Sequence, residues 1–375
     1  MNEDKSARYH RLRRRAGLLS AAAAAVLLTG LVATRASVSL RGLSEQAAGA
    51  LAGPGPTWPW IVVGVYVTLL VGLHELVTLP AAFYRGFLLE RRYGLSRESF
   101  SVWAVDHAKA VMLGWVFGLG GSAVLYGLLR SRPADWWIPA GAIFSLTTVA
   151  LAHLAPVVLL PIFYHLRPLD RDLLRARLKS LAGRAGSRIV GVCEWQLGER
   201  TRRANAALVG LGRTRRILVS DTLLAEYSDE EIEAVLAHEL GHHVRYDIWR
   251  SIAYETALIF AGLFVADRAL RVFGSAASLT SPADVTGLPI LLLAMGGLSV
   301  LQRPLANALS RRQERLADRF ALALTGRPAA FISVMRRLAA QNLAEEEPSR
   351  LVRIFFHTHP PTRERIAAAS SRAST

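Results

Sequence analysis

Cysteine, lysine and acidic charge are all scarce in this 375-residue chain. Cys193 is the single cysteine, which excludes an intramolecular disulfide and leaves a reducing compartment open. Of 45 basic side chains only Lys5, Lys109 and Lys179 are lysine, and 29 acidic side chains leave a formal charge of +16. No basic motif is interleaved with aromatics, so this charge argues for a membrane surface and topology, with no nucleic acid as partner. A small-x-small cleavage site is also missing after the first apolar run. That run is longer than a signal-peptide core, so a retained helix is expected.

What the chain has in quantity is apolar sequence. Its composition is 52% hydrophobic with a mean hydropathy of +0.28, so apolar spans and basic loops must alternate. Ala16 to Thr34, Trp58 to Leu79, Val111 to Leu129, Trp136 to about Leu160, Ile252 to Leu270 and the shorter Leu288 to Leu301 are expected to span a bilayer. Arg8, Arg11, Arg13, Arg14 and Arg15 precede the first span, and Arg85, Arg91, Arg92 and Arg97 follow the second. Both groups belong on the cytoplasmic side of a cell membrane. Counting onward predicts loops outside near Ser44, Ser131 and Ser281, with everything from Leu166 to Arg250 and after Gln302 inside. His74, Glu75 and Asp267 would be costly in lipid unless they face a polar cavity, and His153 is placed near an interface.

One of these inner segments contains His238-Glu239-Leu240-Gly241-His242. Four residues advance a helix by about 400°, which sets His238 and His242 one turn apart on one face, where two imidazoles can meet a single cation. Glu239 projects beside them and can take a proton from a water activated there. Ser228 and Glu231 read as a capping box, Asp229 and Glu230 suit the dipole of a helix beginning there, and Ile232, Val235, Leu236 and Leu240 give it an apolar stripe. His243 points elsewhere and is expected at the surface. The pattern predicts one Zn2+ per chain and hydrolysis of peptide bonds.

Two histidines leave such a site one protein ligand short. Arg245 and Ile248 stand where a metzincin would have glycine and histidine, which removes that clan. Glu314 and Asp318 lie four apart on a helical run from Leu305 to Leu324 that stops at Gly326, so both carboxylates share a face. Glu314 is assigned as third ligand and Asp318 as the acceptor that orients a ligand imidazole. The charged face with Arg311, Arg312, Arg315 and Arg319 could also be a plain solvated one; the missing ligand favours the metal. A site-two-type intramembrane protease is disfavoured, because the metal helix opens too polar for a span and no Leu-Asp-Gly partner is present.

Taken in order, His238-Glu239-Leu240-Gly241-His242, Glu314-x-x-Ala317-Asp318 and His359-Pro360-Pro361-x-x-x-Arg365-Ile366 resemble the CAAX prenyl protease (type 1) family of integral-membrane zinc endopeptidases. Leu79-Pro80-x-x-x-Tyr84, Glu90 to Leu95, Asp106-x-x-Lys109 and the stretch Arg203 to Leu224 extend the resemblance to residues 60 to 368. It implies cleavage of membrane-associated chains or of peptides near their carboxyl end, at a zinc site on the cytosolic side. It also implies that His359, in a turn that paired prolines keep out of a helix, faces the site and stabilises the developing oxyanion; a turn histidine that caps something is the alternative. Arg365 would pair with Asp318 or Glu314. The family encloses a chamber with seven helices, one more than the six counted here.

The fold class is therefore a mostly α-helical integral membrane protein of about six transmembrane helices, with a small α+β zinc peptidase domain of gluzincin type. Its divisions are 1–165, a membrane region of about four helices; 166–250, the first catalytic part; 251–302, two further membrane helices; and 303–375, the second catalytic part. The first catalytic part should hold a helix from Leu169 to Ala185 and strands at Arg188 to Trp195, Asn205 to Leu211 and Arg216 to Ser220. Asn205, Ala206, Ala207, Leu208, Val209 and Gly210 are the candidate edge strand for a substrate backbone, with an ordinary packed strand as the alternative. Two other functions are kept: a quality-control protease for membrane proteins without prenyl specificity, and a non-catalytic membrane scaffold.

Overall fold

The computed structural model describes residues 4–53, 55–154, 158, 160–199, 201–210, 215–275 and 277–373. The amino-terminal half is a set of long helices. α1 (Lys5–Ala33) starts where the Asp4 carboxylate accepts from the Ser6 amide, and it ends before Arg35, whose left-handed backbone (φ 59°) turns the chain into α2 (Ala36–Ala52). α3 (Trp58–Phe83) continues through a π-turn at Tyr84–Leu88 into α4 (Leu89–Arg92), and Gly94 at φ 73° lets the Leu95 amide close on the Glu90 carbonyl. α5 (Phe100–Ser131), capped by Ser99, and α6 (Trp137–Leu154) follow, then the short α7 (Leu160–Phe163).

The next segment builds a small sheet. β1 (Leu166–Pro168), α8 (Asp172–Arg184), β2 (Gly191–Trp195), β3 (Ala206–Val209) and β4 (Arg216–Ser220) give the strand order β1-β2-β4-β3, with β2 parallel to β4 and the outer two antiparallel. α9 (Asp221–Glu226) leads into α10 (Asp229–Val244), the helix carrying His238 and His242. α11 (Asp247–Phe273), α12 (Leu288–Leu301), α13 (Arg303–Thr325), α14 (Pro328–Gln341), α15 (Arg350–Phe356) and α16 (Thr362–Ala373) complete the chain.

Apolar burial divides the molecule into a membrane bundle and a catalytic body. Val62, Tyr66, Leu125, Ala140, Leu263 and Leu291 centre the first core; Leu178, Ile217, Leu236, Leu240, Ala321 and Phe331 centre the second. By length and hydropathy α1, α3 with α4, α5 and α6 can cross a bilayer, and α12 with α13, bent by 46°, makes a fifth candidate. The fifth anticipated span, Ile252 to Leu270, lies in α11, which carries Arg250, Glu255, Asp267, Arg268 and Arg271 and so has a lower apolar content. It still packs into the bundle, where a Cβ on Gly141 of α6 would sit 2.6 Å from the Phe260 ring. Asp267 is buried and met by neighbouring side chains. It accepts from Trp136 Nε1 at 2.8 Å and from Arg271 Nε at 2.9 Å.

Several expectations are corrected. The loop placed near Ser44 is the helix α2, and Ser44 is buried there with its hydroxyl on the Leu40 carbonyl. At 17 residues α2 is too short to be recognised as a span, yet Leu40 and Ala48 pack on the core around Val62 and Tyr66. The helix expected from Leu169 begins at Asp172, and the strand expected from Arg188 begins at Gly191. Leu211, at the end of the expected edge strand, and most of residues 155–159, at the end of the fourth span, lie outside the described residues.

Candidate metal centre

α10 begins as a capping box. The Ser228 hydroxyl accepts from the Glu231 amide at 3.3 Å, and the Glu231 carboxylate accepts from the Ser228 amide at 2.9 Å. Arg177 of α8 binds the same end through Asp229, Glu230 and Glu233. The far end is held by Gly241, which lets α13 come so close that a Cβ there would meet Ala317 Cα at 2.9 Å. This contact brings Glu314 of α13 to the histidines of α10.

His238 Nε2 and His242 Nε2 lie 3.2 Å apart, and the Glu314 carboxylate straddles them, with Oε2 3.4 Å from the first and Oε1 3.2 Å from the second. Ligand atoms held at 2.0–2.1 Å on a tetrahedral ion are about 3.3 Å from one another, so these three edges fit zinc. They are the three metal-ligating side chains that cluster among the described residues. With both Nδ1 atoms held by carboxylates, the two Nε2 atoms face each other and the buried Glu314 carboxylate, an arrangement that a cation between them satisfies. The donor set therefore fits the metal that the sequence predicts.

The other face of each imidazole is fixed by a carboxylate. His238 Nδ1 donates to Asp318 at 2.9 Å, and His242 Nδ1 donates to Asp247 at 3.0 Å, which turns both Nε2 lone pairs inward. Arg365 donates to both Asp318 oxygens, at 2.8 and 2.5 Å. His359 Nδ1 lies 2.7 Å from Glu314 Oε2 on a side chain that is 61% exposed, free to turn toward an arriving ligand. Asp247 was not anticipated. It is the first residue of α11, after a left-handed Tyr246, and only this turn folds it back on His242.

Burial and charge set the two glutamates apart. Burial would raise the Glu314 carboxyl, but the imidazoles of His238, His242 and His359 outweigh it and hold the group well below the usual carboxylate range. Glu239 is raised by burial, only partly offset by His238 and His242. His238 itself would be lowered by burial, yet Asp318 and Glu314 push it up to about 9. His243 is half-buried near Arg215, and burial lowers its pKa. β3, with Ala206, Ala207, Leu208 and Val209, is an edge strand that packs beside α10; Asn205 and Gly210 flank it. On its outer side it pairs with no strand among the described residues.

One contact joins the amino terminus to this region. Arg14 of α1 binds Glu345, and Glu345 also accepts from His357 Nε2 at 3.2 Å, two residues before His359. In the bundle, Glu75 meets His107 of α5 at 2.6 Å.

Residues 168–373 match peptidase family M48, and residues 2–165 match the CAAX prenyl protease N-terminal family of five membrane helices, of which four are long and apolar enough to cross a bilayer among the described residues here. The uncharacterized metalloprotease YhfN of Bacillus subtilis is 30% identical, over 81% of this chain and 72% of its own. CAAX prenyl protease 1 of Saccharomyces cerevisiae is 28% identical, over 81% and 71%. The crystal structure of S. mikatae Ste24p superposes with a TM-score of 0.81 at 22% identity, over 97% of this chain and 87% of that one.

Proposed function

Because this chain belongs to peptidase family M48, joined to a CAAX prenyl protease N-terminal membrane region, we propose that it is a zinc endopeptidase cutting membrane-associated chains on the cytoplasmic side of a cell membrane. The family makes it a membrane-bound metalloendopeptidase. The observation that carries the zinc assignment is the set of edges near 3.3 Å among His238, His242 and Glu314. His238, His242 and Glu314 would hold the zinc, which would supply the Lewis acidity needed to activate a water and polarise a carbonyl.

The chain's own groups do the rest. Glu239 takes the proton of the attacking water and passes it to the departing amine, and its raised carboxyl brings it nearer that task. Asp318 and Asp247 hold the ligand imidazoles, and Arg365 holds Asp318. His359 donates to the oxygen that gains charge as the carbonyl becomes tetrahedral. β3, with Asn205 and Gly210 at its ends, pairs with the substrate backbone. The names of the yeast and other relatives support a prenylated carboxyl-terminal motif as substrate.

Metal analysis of purified protein should find one zinc per chain. Peptides that differ only in a prenylated carboxyl-terminal cysteine motif should then be separated, the prenylated one being cleaved and Glu239→Gln inactive on it. Equal cleavage of both, together with cleavage of unfolded membrane segments, would replace this substrate assignment with membrane-protein quality control.

A further inference from the structure

Beside the metal centre, between α11 and α13, lies a cavity of about 490 Å³. Its wall comes from the chain neighbours of the site: Arg245 follows His242 by three residues, Gln313 precedes Glu314 and Thr358 precedes His359. Arg250 and Arg312 bring two more guanidinium groups. Glu255 is the one acid among the described lining residues, so the cavity keeps an excess of positive charge. Arg250 makes a single 3.3 Å bond to Asp247, and among the described residues Arg312 has no acidic partner. The Arg245 Nε is buried and donates to nothing. A guanidinium N–H withdrawn from water without an acceptor is costly, and an acceptor brought by a ligand removes that cost.

The cavity also stands at a definite depth. α12 leaves the apolar bundle at Leu301, and the next residue, Gln302, accepts from the hydroxyl of Tyr254, which lines the cavity. Leu301, Leu305 and Leu309 are exposed along the bend into α13, and Tyr246 and Trp249 are exposed at the start of α11. Aromatics of this kind collect at the headgroup level, and the exposed leucines offer a path for acyl chains. Basic pockets between membrane helices on the inner side suit phosphate headgroups.

We propose that this cavity binds the phosphate of an anionic phospholipid, held by Arg245, Arg250 and Arg312 with its chains along Leu301, Leu305 and Leu309. This site does not depend on the peptidase reading, and it can be tested without turnover. In a Glu239→Gln background, full-length protein is placed in phosphatidylcholine discs with or without phosphatidylglycerol, and its unfolding temperature and retained lipids are measured. Phosphatidylglycerol should raise the unfolding temperature and survive as a bound lipid in native mass spectrometry, with both effects lost in Arg245→Gln/Arg312→Gln. That variant must keep the phosphatidylcholine unfolding temperature and its metal; Arg312→Gln alone, on the exposed wall, gives a milder second variant with about a tenfold weaker lipid retention expected.

An equal phosphatidylglycerol effect in the variants would overturn the site and assign the lipid to the general basic surface. The same rise produced by inorganic phosphate in phosphatidylcholine discs would overturn the lipid in favour of a free anion. Loss of discrimination between free-acid and amidated peptides in Arg312→Gln of the active chain, with no lipid effect, would give the cavity to the substrate's terminal carboxylate instead.

Discussion

Glu239 and Glu314 are carboxylates within one site whose surroundings push them in opposite directions, and their substitutions should separate accordingly. Glu314→Ala removes a ligand and should remove the metal, read by metal analysis, because three protein ligands are the minimum that such a site retains. Glu239→Gln should keep the metal and lose turnover, since an amide takes no proton; substantial activity in it would place the base elsewhere. Because burial raises the Glu239 carboxyl, its active deprotonated form is lost at a higher pH than for an ordinary glutamate. Titration of the metal-free protein should therefore find Glu239 protonating above the usual glutamate range. His359→Ala should lower kcat by about 10²-fold with metal content and KM little changed, the mark of a bond made in the transition state. The grouping of these side chains was legible at the residue scale, because His238 with His242 and Glu314 with Asp318 each repeat at helical spacing. Asp247 was not, since it bonds His242 as Asp318 bonds His238 but reaches it through a chain reversal that no periodicity records. Asp318→Asn and Asp247→Asn should each weaken zinc affinity by about 10- to 100-fold in a chelator titration.

At the scale of elements, the site exists because α10 and α13 touch backbone to backbone. Gly241→Ala puts a methyl 2.9 Å from Ala317 Cα and 3.1 Å from its carbonyl oxygen, against backbone that cannot swing aside. The helices must part, which in a packed interior costs about 1–3 kcal/mol and should also loosen Glu314 from the histidines. A lower unfolding temperature together with weaker metal retention is expected; full metal affinity would mean the contact is not what sets the ligand spacing. The ends of these helices were written in local signals, a capping box at Ser228 and a left-handed Gly326 after α13. β4 was likewise found where its strand character placed it, at Arg216–Ser220. The order β1-β2-β4-β3 was not legible, because pairing β2 parallel to β4 depends on contacts far apart in sequence. α2 escaped for a different reason: its burial comes from packing on α3, and its own hydropathy is modest.

For the whole molecule, two sets of contacts fix which parts share an end of the bundle. Tyr9 is buried against Glu90, Arg203 of the catalytic body binds both, and Arg14 binds Glu345. The amino terminus and the metal helix are thus at one end. At the other, Arg41 of α2 pairs with Asp284, and Arg271 donates to the carbonyls of Pro133 and Ala134. The loops near Ser131 and Ser281 therefore lie together, opposite the site, whatever the number of crossings. Arginine placement predicts that the first end is the cytoplasmic one. In a Cys193→Ser background, an impermeant thiol reagent on intact cells should label Ser131→Cys and Ser281→Cys, both on exposed residues, and spare Ser228→Cys and Ser370→Cys. Ser44→Cys should stay silent in folded protein because α2 buries it, and should react only after unfolding. Labelling at Ser228→Cys with Ser281→Cys protected would invert the chain and put the metal centre outside. Cytoplasmic substrates would then be excluded, and the anionic lipid of the inner leaflet would be out of reach of Arg245, Arg250 and Arg312.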